Sequence, residues 1–294
     1  MRKTLGMIAG VMSAGVMGAV LLASPVLAAD LYGTLKKVQE TGVLRVGFRD
    51  ASAPFSFVDK NGKPRGYSVD LCRQVAVSVK RELKLDDMSI QLVPVTSENR
   101  IDKVVSGEVD IECGSTSHTM DRREKVDFSY FTFLTGTRLL AKRTSGIRNY
   151  KDLAQKTVAV TKGTTNESRI AAIAKVLKIE TTVLTVGNHD EGFAAVKDGK
   201  ADAYATDDIL LRSLILNSDE PEKYAIFGDY LSYDPYALMV RRDDSAFRLL
   251  VDRTLADLFF RREFNKLFDK WFKPMGVPMN DVLRAAMTIQ MHVN

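Results

Sequence analysis

Short apolar runs alternate with helix-period stretches twice along this chain, and that doubled alternation restricts its fold more than any other feature. In the first series Val43-Leu-Arg-Val-Gly-Phe48 reads as a strand, and Phe55-Ser-Phe-Val58 followed by Asp59-Lys-Asn-Gly62 as a short hairpin. A helix is expected from about Ser68, with Val69, Val75, Ala76 and Val79 at helical spacing. Ser89–Val95 is the next strand, Thr96-Ser97 reads as a cap before a helix through Ile101, Val104 and Val105, and Val109–Cys113 is a strand again. The second series has strands at Thr157–Thr161, Thr182–Val186 and Ala201–Ala205, with helices near Glu167–Leu177, from about His189, and through Ile209–Leu216. Such repetition predicts an α/β fold, with parallel sheets covered by helices on both faces. Extended segments near 136–142 and 235–241 read as paired crossings between two lobes, and helices at about 245–260 and 262–272 return to the first. Val282, Leu283, Ala286, Met287 and Ile289 predict a last amphipathic helix packed on that lobe.

The chain opens on an address. Arg2 and Lys3 precede an apolar run from Leu5 past Val20, broken at Ser24-Pro25 and followed by Val26-Leu-Ala28. A basic start, an apolar middle and small residues at the −3 and −1 positions describe a secretory signal peptide, 1–28, cut after Ala28. No later run approaches the roughly 18 apolar residues that a spanning helix needs, so the mature chain is expected to be soluble and exported to the periplasm. Removing Arg2 and Lys3 lowers the net charge from +5 to +3. No cluster of Lys and Arg is long enough to suggest nucleic acid as a partner. Cys72 and Cys113 are the only cysteines, and in an oxidising compartment two cysteines invite one disulfide. Three scattered histidines (118, 189 and 292), no His-Glu-x-x-His helix and no Gly-x-Ser-x-Gly elbow argue against metal and hydrolase chemistry.

The chemistry concentrates in Glu112-Cys-Gly-Ser-Thr-Ser-His-Thr-Met-Asp-Arg122. Ser115 and Ser117 follow the turn at Gly114, and Arg122 closes the stretch. A guanidinium matches a carboxylate with two parallel charge-assisted bonds, and hydroxyls take the remaining lone pairs. A surface turn with a solvated arginine would read the same way locally.

The order and spacing of several words do more. Gly66-Tyr-Ser-Val-Asp70, Thr96-Ser-Glu-Asn-Arg100, Glu112-Cys-Gly-Ser-Thr116, Gly163-Thr-Thr165, His189 and Asp207-Asp208 together resemble the periplasmic amino-acid-binding proteins of ABC importers (solute-binding protein family 3), the glutamate/aspartate-binding type in particular. The resemblance spans nearly all of the mature chain. It implies a type II, Venus-flytrap fold with two hinge strands: lobe 1 from 30–138 plus 239–294, lobe 2 from 139–238. It implies that Ser115, Ser117 and Arg122 hold the ligand α-carboxylate, with Thr164 and Thr165 at a helix start whose free N–H groups favour an anion. Asp207, with Asp208 as the alternative, would pair with the ligand ammonium, though an Asp there also suits a plain helix cap. Counterparts of Arg49, Ser97, Arg100 and His189 hold a side-chain carboxylate, so an acidic ligand, L-glutamate or L-aspartate, is implied. Alone, Arg49 and Arg100 would also suit solvated surface charges, and His189 a helix cap. Ser117 stands where close relatives carry Thr, which keeps the hydroxyl and leaves the expected ligand unchanged. ABC permease subunits would be the partners, the protein a monomer, with no cofactor and no ATP-binding loop of its own. The competing class is a periplasmic cyclohexadienyl (arogenate/prephenate) dehydratase on the same fold, in which Glu112 and His118 would move protons.

Overall fold

The computed structural model describes residues 31–291; the expected signal peptide, 1–28, and His292 lie outside them. Among the described residues no helix is long and apolar enough to cross a membrane.

The first half builds a sheet. Helix α1 (Gly33–Thr41) leads into strand β1 (Val43–Phe48), and a small antiparallel sheet follows, made of β2 (Ala51–Ser52), β3 (Ser56–Val58) and β4 (Pro64–Arg65). Helix α2 (Tyr67–Leu83) starts after Gly66, whose φ of 139° and contact with the Phe55 backbone leave no room for a side chain. Its Leu71, Val75 and Val79 recur at helical spacing and are buried on one face. Then come β5 (Ser89–Pro94), α3 (Arg100–Val105), β6 (Ile111–Glu112), α4 (Met120–Arg123) and the long β7 (Val126–Thr135). α3 begins after Asn99, whose side chain caps nothing in the helix; the expected cap lies one turn earlier, where Thr96 Oγ1 accepts from Asn99 N at 3.1 Å and Thr96 N donates to Asn99 Oδ1 at 2.8 Å. α1 carried no signal strong enough to be expected: only Thr34, Leu35 and Val38 are buried along its nine residues.

The second lobe runs β8 (Thr137–Lys142), β9 (Thr157–Thr161), α5 (Thr165–Leu177), β10 (Thr182–Val186), α6 (His189–Lys197), β11 (Ala203–Asp207), α7 (Asp208–Leu216) and β12 (Tyr224–Phe227). Strand β13 (Asp234–Arg241) and helices α8 (Ser245–Phe260), α9 (Glu263–Phe272) and α10 (Asp281–Gln290) complete the first lobe. The strand orders are β5-β1-β6-β13-β7 and β10-β9-β11-β8-β12. Neither sheet is wholly parallel, contrary to expectation. β1 pairs parallel with β5 and β6, and β9 with β10 and β11, but β7, β8, β12 and β13 pair antiparallel. These last four flank the crossings, where each chain segment leaves one sheet directly for the other and reverses no direction through a helix.

The crossings sit at Gly136 and between Phe227 and Asp234, so 137–142 and 235–241 each lie within a sheet rather than between sheets. Residues 234–238, counted above with lobe 2, pair in the first sheet, and 137–138 pair in the second. The two crossings touch: a Cβ at Gly136 would strike the Ser232 carbonyl, and Leu231 N donates to Thr137 O at 3.1 Å. The main core of lobe 1 joins α2, α8, α9 and α10, with Leu283 and Met287 placing the last helix against it as expected. Val95, Val104, Val109 and Met239 fill the other face of its sheet. Lobe 2 has a core on each face, around Val158, Val160 and Ile170, and around Tyr204, Leu211 and Val196. Ile209 and Leu210 of α7 are each 2% exposed and belong to the core of lobe 1, so the two lobes are packed together. Cys72 on α2 and Cys113 after β6 form a disulfide, with both side chains buried.

Candidate ligand-binding site

The loop from Cys113 to Thr119 is clamped before it can present anything. Gly114 is required by close approach, since a Cβ there would meet Glu112 Oε1 and sit 2.9 Å from Arg49 Cγ. Ser68 Oγ donates to Gly114 O at 2.7 Å, His118 N to Pro235 O at 2.8 Å and Ala237 N to Thr116 O at 3.2 Å. Thr119 caps α4 by accepting from Arg122 N at 3.3 Å, which places the Arg122 guanidinium back over the loop. Its Nη1 donates to Ser117 O at 2.8 Å and its Nη2 to Gly163 O of the other lobe at 3.3 Å. The Ser115 and Ser117 hydroxyls have no partner among the described residues.

Arg49 follows β1 and Arg100 opens α3; they are 1% and 2% exposed. Arg49 Nη2 reaches Ser97 Oγ at 3.5 Å, and Arg100 Nη1 donates to Thr116 Oγ1 at 2.6 Å. Nε of each lacks a partner among the described residues. Behind them the wholly buried Glu112 accepts from Thr116 Oγ1 at 2.6 Å. Burial, then the charge of Arg100, pulls Arg49 down to about 10 and Arg122 down to about 9; burial also lowers Arg100, opposed by Glu112. All three stay charged at neutral pH. Three buried cations so close together are costly unless anions meet them, each ion losing several kcal/mol of hydration.

Lobe 2 supplies the facing wall. Thr164 is the N-cap of α5 by backbone geometry, yet its hydroxyl turns back to Thr161 O at 2.7 Å and caps nothing, leaving the helix amides free toward the cavity. His189 opens α6 and is 3% exposed; burial and then Arg49 and Arg100 depress its pKa well below the ordinary value, so the ring is neutral. Asp207 is the N-cap of α7 by position, but its carboxylate makes no capping bond. Oδ2 takes the Tyr236 hydroxyl instead, and Oδ1 is buried without a partner among the described residues. Burial, then the neighbouring Asp234, pushes Asp207 up to about 6.

Nine of the ten residues expected here line one narrow cavity between the lobes, with room of only about 10 Å³: Arg49, Arg100, Ser115, Ser117, Arg122, Thr164, Thr165, His189 and Asp207. Ser97 is not in the wall; it stands behind Arg49. Asp208 is turned away, bonded by Tyr230 Oη at 2.8 Å. Glu112 and His118, the candidate proton carriers, do not line the cavity either: Glu112 lies behind the arginines, and the His118 ring packs edge-on against Phe128 and Phe131 with centroids 4.9 and 5.3 Å away. Asn166, Thr206 and Leu210 line it unexpectedly. Their neighbours in the chain were singled out, but nothing in local periodicity marks these three.

Two α/β lobes joined by a double crossing, with a charged cavity closed between them, define an interlobe binding protein of the type II periplasmic class. The chain belongs to the bacterial extracellular solute-binding proteins, family 3, whose model matches residues 44–274. It is 41% identical over 267 residues, 89% of this chain and 88% of that protein, to an L-glutamate/L-aspartate-binding protein of Pseudomonas aeruginosa. A glutamate/aspartate import solute-binding protein of Escherichia coli is 36% identical over 84% of this chain and 82% of its own. Among solved structures, a mutant of ArgBP from T. maritima superposes with a TM-score of 0.73 at 26% identity, over 81% of this chain and 99% of that one. The chain is thus a binding protein and not an enzyme.

Proposed function

We propose that this protein is the periplasmic solute-binding component of an ABC amino-acid importer and that it carries L-glutamate or L-aspartate. Its lobes, 30–138 with 239–294 and 139–238 save for the few residues exchanged at the crossings, close on the ligand, and the closed shape engages the permease as a monomer. Arg122, the Ser115 and Ser117 hydroxyls and the first amides of α5 take the α-carboxylate. Asp207 Oδ1 takes the ammonium. Arg49, Arg100 and the His189 ring take the distal carboxylate, with Ser97 steadying Arg49.

The observation that carries this reading is the charge of the cavity. Three guanidinium groups face or back onto two buried carboxylates, Glu112 and Asp207, with His189 neutral, which leaves one positive charge. A zwitterion leaves that charge buried; a ligand with two carboxylates and one ammonium closes it to zero. Burying unlike charges in pairs is the condition under which a dehydrated site holds ions. Binding-protein relatives named for glutamate and aspartate support the same choice.

Calorimetric titration of ligand-stripped protein with the twenty amino acids tests it. Glutamate and aspartate are expected to bind, and glutamine and asparagine at least tenfold more weakly, about the 1.4 kcal/mol per decade that one lost charge-assisted bond supplies. Tighter binding of a basic or apolar amino acid would overturn the reading, as would turnover of prephenate or arogenate.

A further inference from the structure

The His189 side chain lines the cavity, and the state of its ring depends on groups that meet its Nδ1. Nδ1 lies 2.6 Å from Tyr204 Oη, which in turn lies 2.8 Å from Thr161 Oγ1; Thr161 Oγ1 is 3.3 Å from Nδ1. Tyr204 and Thr161 are wholly buried, on the adjacent strands β11 and β9. Neither touches the cavity, and neither has a role in the reading above.

The protons of this chain can run in two directions. If Nδ1 carried the hydrogen and donated to Tyr204 Oη, the phenol would donate to Thr161 Oγ1, the hydroxyl within hydrogen-bond distance of it; Thr206 Oγ1, on the same strand, is taken by Asn166 Nδ2 at 3.3 Å. The Thr161 hydrogen would then need a further acceptor, and among the described residues Thr161 Oγ1 has no side-chain or backbone partner besides Tyr204 and His189. Run the other way, Thr161 donates to Tyr204 and Tyr204 donates to Nδ1, and every buried hydroxyl proton is placed. A neutral imidazole accepting at one nitrogen carries its hydrogen on the other. Nε2 is then a donor, on a side chain that lines the cavity.

We infer that Tyr204, backed by Thr161, is a positioning residue that fixes His189 as the Nε2–H tautomer and so makes the ring a neutral donor to the ligand's distal carboxylate. This deepens the proposed function and rests on it for the identity of the ligand, while the tautomer itself does not. The arrangement adds a third donor to the distal subsite without adding a third charge beside Arg49 and Arg100. It separates the ligands modestly: a carboxylate oxygen gains a strong acceptor's bond from Nε2–H, whereas an amide must first be oriented with its carbonyl toward the ring and then accepts less strongly.

The test uses full-length mature protein with ¹⁵N-labelled histidine, free and with glutamate, in wild type, Tyr204→Phe and Thr161→Val. In the wild type, with and without glutamate, His189 Nδ1 is expected to show the ¹⁵N shift of an unprotonated ring nitrogen and Nε2 that of a protonated one. Tyr204→Phe should move both shifts toward a tautomer mixture and weaken glutamate about tenfold, with glutamine changed less than about threefold, the scale of one hydrogen bond. Thr161→Val should do the same more weakly, and retained glutamine binding reports that each variant is folded. A protonated Nδ1 in the free wild type overturns the inference whatever the ligand proves to be. So does a Tyr204→Phe variant with unchanged shifts, or one in which glutamate and glutamine fall equally. A wild type that has the expected tautomer but binds no acidic amino acid instead overturns the proposed function.

Discussion

Arg49, Arg100 and Arg122 are alike in charge and burial, and their surroundings divide their labour. Arg122 already spends two N–H groups on backbone carbonyls, one in each lobe, and lies beside the free hydroxyls of Ser115 and Ser117. Arg49 and Arg100 have buried Nε groups without a partner among the described residues, and both are close enough to His189 to depress its pKa by their charge. Arg122→Ala is therefore expected to abolish binding of every amino acid, whereas Arg49→Ala or Arg100→Ala weakens acidic ligands at least a hundredfold and neutral ones far less, since each leaves a buried carboxylate without its partner, at about 3–5 kcal/mol. Titration of the three variants with glutamate and glutamine separates the roles, and equal losses for both ligands would contradict them.

Asp207 and His189 set the response to acid, with opposite signs. Asp207 must be ionised to hold an ammonium, and free protein takes up a proton there below about pH 6. Glutamate affinity should thus fall about tenfold per unit as pH drops below that value. Without ligand, the native state binds this proton at a pH where the unfolded chain has shed it. Acidification between the raised and the ordinary carboxyl pKa then stabilises the fold through Asp207. His189 works against this: its native pKa is depressed, so below the ordinary imidazole value the unfolded chain protonates first and the fold loses stability. Melting curves of Asp207→Asn between pH 7 and 5 are expected to fall more steeply than those of the wild type, because the opposing term is gone. A flatter profile would show the sign to be wrong.

At the scale of elements, the disulfide connects α2 to the loop that carries Ser115 and Ser117, across 41 residues of chain. Closing a loop of that length lowers the entropy of the unfolded chain by an amount worth about 3–4 kcal/mol. The double variant Cys72→Ala with Cys113→Ala should lose that much unfolding free energy in denaturant titration and still bind glutamate, because the loop is also held by Ser68 and by β13. Loss below 1 kcal/mol would mean the unfolded state is already compact there. Element type was largely legible: α2, α5, α6, α7, α8 and α9 carry buried residues at helical spacing, and β9 and β10 are β-branched runs. Strand direction was not legible, because an isolated strand has the same alternation whichever way its neighbour runs. The cap at Thr96-Ser97 was legible in part: α3 begins only at Arg100, after Asn99, whose backbone is already helical, but Thr96 Oγ1 accepts from Asn99 N three residues on, the bond a cap makes.

For the whole molecule, the contact that admits closure is a glycine. Gly163 has φ of 74°, and a Cβ there would lie 2.7 Å from Glu98 Cα and 2.8 Å from Ser97 O on the opposite lobe. Gly163→Ala is expected to leave both lobes folded but hold them apart, raising the radius of gyration by X-ray scattering with glutamate present and weakening glutamate at least tenfold, as a ligand shifts the lobes only by its difference in affinity for the two states. An unchanged scattering profile and affinity would remove this glycine from the closing mechanism. Ile209 and Leu210, packed into the core of lobe 1, and the exposed Lys162–Glu98 pair at 2.7 Å add to the same interface.

By itself the sequence determined the local chemistry: where apolar periodicity makes strands and helices, which glycines turn, and which residues form the words around Arg49, Arg100, Ser115, Arg122, Thr164 and Asp207. These follow from interactions between near neighbours in the chain. Only the tertiary structure decided which carboxylate of Asp207-Asp208 faces the cavity, that Glu112 balances charge from behind while His118 packs among aromatic rings, and that Tyr204 and Tyr236 stand behind His189 and Asp207. Each of those depends on groups ten or more residues apart in the chain being brought into contact. Desolvation, which sets the charge state of every group in the site, does not exist until the two lobes exclude the water between them.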